Sequence, residues 1–109
     1  MKDMFSNCNS LQKLELSNFN TKEVIDMSGM FQSCQTLKEL NIKNFDSSQV
    51  TDMSRMFANC NSLESIDISS FNTNKVTNMY SMFISCTSLK KLDLSNFRTE
   101  NVINMESMF

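Results

Sequence analysis

Apolar residues recur along this chain with a period of 26, while the positions between them drift among polar types. The Met-Phe pair shows the period most plainly, at Met4-Phe5, Met30-Phe31, Met56-Phe57, Met82-Phe83 and Met108-Phe109. Cys8, Cys34, Cys60 and Cys86 form a second column, and Leu11, Leu37, Leu63 and Leu89 a third. Phe19, Phe45, Phe71 and Phe97, and Val24, Val50, Val76 and Val102, complete the pattern with Met27, Met53 and Met79. Two further columns stay aliphatic, Leu14, Leu40, Ile66, Leu92 and Leu16, Ile42, Ile68, Leu94. Fixed apolar columns with variable polar filling are what a stack of repeats requires, because each unit buries its apolar face against the next.

Within one repeat, Leu40 and Ile42 alternate with polar Glu39, Asn41 and Lys43, which predicts a short strand. The spacing L-x-x-L-x-L is the strand signature of a leucine-rich repeat. Val50, Met53, Met56, Phe57 and Cys60 then follow one face of a helix. A short second strand over 50–53 before a helix of two turns fits the same residues. Thr21, Ser47, Thr73 and Thr99 precede this segment in every repeat and suit N-caps or turn formers. The expected fold is therefore an α/β leucine-rich-repeat solenoid: four 26-residue coils, a parallel sheet on one face and short helices or short strands on the other. Residues 1–109 read as one such unit, cut in mid-repeat at both ends and without capping units, so that four repeats of a longer array are expected. Uncapped ends of this kind favour end-to-end self-association.

Composition narrows the function classes. A net charge of −2 gives no electrostatic reason to expect nucleic acid or an anionic membrane. No apolar run has the length of a membrane span, so no direct insertion by this segment is expected, and the N-terminal stretch does not read as a signal peptide. Proline is absent and Gly29 is the single glycine, which excludes collagen-like and linker readings. Without His, a Gly-rich phosphate loop or a distinctive carboxylate pair, enzyme activity is not expected, and neither is a cofactor.

Four cysteines spaced 26 apart match no zinc pattern, so no metal is assigned. Stacked in register they read as buried free thiols, with disulfides or a redox role as the alternatives. The Met and Phe columns read as core, and Phe57→Ala is expected to cost ~3–5 kcal/mol. The polar positions of the strand face are the ones free to specify function: Lys13, Glu39, Ser65 and Lys91 in one column, Glu15, Asn41, Asp67 and Asp93 in the next, and Lys43 among serines in the third. Asp67 beside Asp93 would attract a cation or a basic partner segment, whereas the alternative is a face kept polar for solubility.

The unit F-x-x-C-x-x-L-x-x-L-x-L-x-x-F-[ND]-[TS]-x-x-V-x-x-M-x-x-M-F closely resembles the 26-residue leucine-rich repeats of BspA-like bacterial surface proteins, also found in mycoplasma surface lipoproteins. Phe31, Cys34, Leu37, Leu40, Ile42, Phe45, Val50, Met53, Met56 and Phe57 carry the match. Arg98 departs from it, standing where the other repeats have Asn20, Asp46 and Asn72. The resemblance implies a cell-surface or secreted array that adheres to host extracellular-matrix or cell-surface proteins through its strand face. A structural spacer displaying another domain is the second expectation, and an intracellular scaffold a third.

Overall fold

The alternation of Leu14 and Leu40 with polar neighbours produces the only two strands in the computed structural model, which describes residues 1–109. Strand β1 spans Lys13–Glu15 and β2 spans Glu39–Asn41. They pair in parallel with Lys13 opposite Glu39, Leu14 opposite Leu40 and Glu15 opposite Asn41. The ladder continues one rung on either side: the Gln12 carbonyl accepts from the N–H groups of Lys38 and Glu39, and the Asn41 carbonyl accepts from Leu16 N–H at 3.1 Å. Elsewhere there are isolated parallel bridges, such as Ser65 with Lys91 and Asp52 with Asn78.

This corrects the expected fold. No helix forms anywhere, and two strands of three residues make no continuous sheet, so the solenoid of four coils with a sheet face and a helical face is not what the chain adopts. The helix fails for a local reason. Arg55 and Asn59 hold φ values of 55° and 60°, and the same left-handed conformation recurs at Asp3, Gly29, Ser81 and Ser107 and at Asn7, Ser33 and Ser85. A right-handed helix cannot pass through such residues. Instead the segment is a string of tight turns in which alternate N–H groups close locally, Met56 to Met53 at 3.2 Å and Cys60 to Phe57 at 3.1 Å. The intervening N–H groups reach the next repeat: Gly29 to Ser54, Phe31 to Met56 and Ser33 to Ala58, at 2.8, 2.9 and 2.7 Å. Steps of three residues mimic a helical face in the sequence without making one.

Residues 26 apart therefore lie against one another, and their apolar columns form one core, although Met4, Phe19, Met105 and Phe109, in the first and last repeats, are exposed rather than buried in it. Phe5, Phe31, Phe57, Phe83 and Phe109 stack with centroids 5.3–6.0 Å apart and interplanar angles of 10° or less. Met27, Met30, Met53, Met56, Met79 and Met82 fill the space beside the rings and are fully buried, as suits a flexible thioether. Each inner cysteine donates its S–H back one repeat, Cys34 to the Phe5 carbonyl at 3.1 Å, Cys60 to Phe31 at 3.2 Å and Cys86 to Phe57 at 3.1 Å. All four thiols are free.

Polar groups close the stack where a sheet does not. Thr21, Ser47 and Thr73 are buried, and none caps a helix. Each hydroxyl grips one residue of the following repeat by both backbone groups. Thr73 Oγ1 donates to the Arg98 carbonyl at 2.9 Å and accepts from the Arg98 N–H at 2.7 Å. Thr21 does the same to Asp46 and Ser47 to Asn72. The resulting body measures 34 × 30 × 23 Å.

Candidate functional site

Several of the predicted strand-face residues are already engaged within the chain. Glu15, Asn41, Asp67 and Asp93 each turn a side-chain oxygen onto the N–H two residues ahead, that of Ser17, Lys43, Ser69 and Ser95. Asp67 Oδ1 also accepts the Ser69 hydroxyl at 2.6 Å. At Asn41, Asp67 and Asp93 this is an Asx-type turn, and Glu15 makes the equivalent bond with its longer side chain. The acidic column thus exists first to close a turn, which is why an amide serves equally at Asn41. The hydrogen bonds hold the Asp67 carboxyl below the usual carboxylate range, through the Ser69 hydroxyl and then its N–H, and the Asp93 carboxyl likewise through the Ser95 N–H and hydroxyl. Glu15 is lowered by Ser17 in the same way.

The outer column is partly paired. Lys13 Nζ lies 2.6 Å from Glu39, which raises the lysine above its ordinary value, and Asn41 Nδ2 donates to Glu15 at 2.9 Å. Sequence reasoning missed a second pair, Lys90 with Glu64 at 2.6 Å. The signal was present: opposite charges stand 26 residues apart, one position before the predicted column. Ser65, Lys91 and Lys43 are exposed, and no side-chain hydrogen bond of theirs crosses to another repeat.

Between these columns lies a groove of about 380 Å³, lined by Lys13, Leu14, Glu15, Lys38, Glu39, Leu40, Asn41, Ser65, Ile66 and Asp67. Lys38, Leu14, Leu40 and Ile66 are its unpredicted members. The groove brings together Lys13, Glu15, Glu39, Asn41, Ser65 and Asp67, whereas Lys43, Lys91 and Asp93 lie outside it. Its chemistry is that of contact: a part-apolar floor, charges of both signs on the rims and backbone amides between them. A second concavity of about 500 Å³, lined by Phe5, Cys8, Asn9, Ser10, Leu11 and Leu14, lies on the first repeat's open side.

The remaining chemically distinctive groups are buried or paired. Burial pushes the Cys34 and Cys60 thiols up, and Cys86 to about 11, so they are neutral at physiological pH and poor nucleophiles. The Arg55 guanidinium lies 5.0 Å from the ring centroid of Tyr80 on the turn side. No group of three or more His, Cys, Asp or Glu converges as a metal site, and no helix is long and apolar enough to cross a membrane.

A chain of in-register 26-residue repeats with one grooved, charged face is the class of molecule these observations define. Over residues 1–109 it matches the family described as Mycoplasma protein of unknown function, DUF285, and it belongs to that family. Neither a curated protein nor a solved structure matches it.

Proposed function

We propose that this chain is a protein-binding module of a cell-surface or secreted protein, which engages a host extracellular-matrix or cell-surface protein through its strand face. The observation that carries the reading is the groove of about 380 Å³ on that face, with an apolar floor and charged rims. A small apolar floor within a polar rim is the anatomy of a recognition surface. The membership of a mycoplasma-associated family and the resemblance to BspA-like repeats support the surface setting.

A spacer that displays another domain is the second reading, favoured by one observation. Lys13 with Glu39 and Glu64 with Lys90 neutralise each other across repeats instead of facing outward unpaired.

The test must remove charge without opening the turns, because Asp67 and Asp93 hold Ser69 and Ser95. Asn41 fills the same turn role, so Asp67→Asn with Asp93→Asn keeps the acceptor and deletes two charges. Binding of the chain and of this double variant to immobilised matrix proteins should differ by fivefold or more, that is ~1 kcal/mol or more. Equal binding by both would place the contact away from these two carboxylates, and none by either while circular dichroism shows folded protein would favour the spacer.

A further inference from the structure

Apolar side chains reach the surface chiefly at the two ends of the stack. Ile25 and Ile103 are 62% and 87% exposed, while the same column carries Thr51 and Thr77 in the repeats between them. Phe109 is 71% exposed although it stacks on Phe83, and Phe19 is exposed beside Phe5. Leu89 and Leu92 on the last repeat, like Leu11 and Leu14 on the first, are half-buried, whereas Leu37 and Leu40 inside the stack are buried.

Hydrogen-bonding groups run out at the same two surfaces, and they do so in complementary pairs. Thr51 N–H donates to the Ile25 carbonyl and Ile103 N–H to the Thr77 carbonyl, both at 2.8 Å. The next members of that series, the Ile103 carbonyl at one end and the Ile25 N–H at the other, have no backbone partner in the chain. The hydroxyl column behaves alike. Thr73 clamps both backbone groups of Arg98, but Thr99 clamps nothing at the last repeat, and the N–H and carbonyl of Asn20 go unclamped at the first.

One segment is also present twice in this register. Residues 105–109, MESMF, repeat residues 1–5, MKDMF, after four periods of 26. Asp3 and Phe5 donate their N–H groups to the Ser28 and Met30 carbonyls at 2.9 Å. The equivalent N–H groups of Ser107 and Phe109 have no partner.

We propose that this chain stacks head to tail with a second copy of itself, the last repeat of one copy on the first repeat of the next, in unbroken 26-residue register. Residues 105–109 then replace residues 1–5 of the next copy, which are displaced. Ser107 and Phe109 donate to that copy's Ser28 and Met30, and Phe109 lies between Phe83 and its Phe31. Thr99 clamps its Asn20, and the Ile103 carbonyl accepts from its Ile25 N–H while the two isoleucine side chains cover each other. The exchange of segments is near neutral, because equivalent bonds replace those lost, whereas the leucine columns, the isoleucines and the Thr99 hydroxyl gain partners outright. Glu100 comes beside Lys22 at the rim. Lys91 over Lys13 and Asp93 over Glu15 are like pairs, offset by their diagonal neighbours of opposite sign. A heterologous contact of this kind does not close, so copies add without a fixed number. It does not depend on the strand-face reading.

Sedimentation velocity on the whole chain is the test. Mass should climb with concentration from 12.6 kDa through twice that value and beyond. Two variants each block one end at exposed positions: Ile103→Asp with Phe109→Glu at the last repeat, and Ile25→Asp with Phe19→Glu at the first. Each alone should remain a monomer with the parent's circular dichroism, and their equimolar mixture should form a dimer and nothing larger. In that dimer the Ile25 amide of the copy offering its first repeat should exchange about tenfold more slowly, and its Asp3 and Phe5 amides faster. A parent that stays monomeric at every concentration would overturn the proposal, as would growth that persists in either variant alone or a mixture that does not dimerise. Unchanged Asp3 and Phe5 exchange in the dimer would put the contact in another register and overturn it equally. Where a variant loses the fold, the parent's own Ile25, Ser107 and Phe109 amides decide: slower exchange at higher concentration supports the stacking, and unchanged exchange excludes it.

Discussion

At the scale of single residues, hydroxyl and carboxamide groups do the work that sheet hydrogen bonds do elsewhere. Thr73 is 1% exposed and satisfies both backbone groups of Arg98. Thr73→Val keeps the shape and leaves those groups without a partner, so unfolding free energy should fall by ~1–3 kcal/mol in urea titration. Thr73→Ser should stay within about 0.5 kcal/mol of the parent, since Ser47 performs the same role. A Val variant as stable as Ser would show that the clamp contributes nothing. The column of Thr21, Ser47 and Thr73 was visible in the sequence, but its partners lie 25 residues away, where a local capping rule does not look.

At the scale of the element, the left-handed residues decide what the second half of each repeat becomes. Ser85 holds φ at 59°, which costs an L residue roughly 1–2 kcal/mol. Ser85→Gly relieves that strain against a smaller entropic loss, and a gain of about 0.5 kcal/mol is expected by thermal denaturation. Ser85→Val, branched at Cβ, should lose ~1 kcal/mol or more at the same exposed site. Opposite signs for the two changes are the diagnostic result; two equal losses would mean that the turn tolerates either backbone region. The ring column is the other determinant. Phe57 is fully buried between Phe31 and Phe83, so Phe57→Ala should cost ~3–5 kcal/mol, and a loss below ~1 kcal/mol would place the stability elsewhere.

At the scale of the whole molecule, turn-closing carboxylates make stability depend on acid. Glu15, Asp46, Asp67 and Asp93 are all held below their ordinary values by serine hydroxyl and N–H groups. Depressed folded values mean that the contribution is complete above the unfolded range near pH 4 and lost as pH falls through and below it. The urea midpoint should therefore be level from about pH 7 to 5 and fall below about 4. The Asp67→Asn, Asp93→Asn variant should fall less steeply, and an identical decline would exclude these two groups as the cause. The thiols act at the other extreme. With Cys86 at about 11 against an ordinary 9.0, the unfolded chain ionises first as pH rises, so stability declines through that interval.

The sequence alone determined the period of 26 and the apolar columns that build most of the core, because burial acts on each position and is written as a spacing. It set Lys13 and Glu39, and Glu64 and Lys90, 26 residues apart, but that they pair is shown by the folded chain. It did not separate a helix from a chain of tight turns, since both place apolar residues three and four apart, and the difference lies in the φ of Arg55 and Asn59. Nor did it show that Asp67 and Asp93 close turns. Those outcomes depend on which groups meet across neighbouring repeats, and only the folded chain brings residues 25 and 26 positions apart within hydrogen-bonding distance.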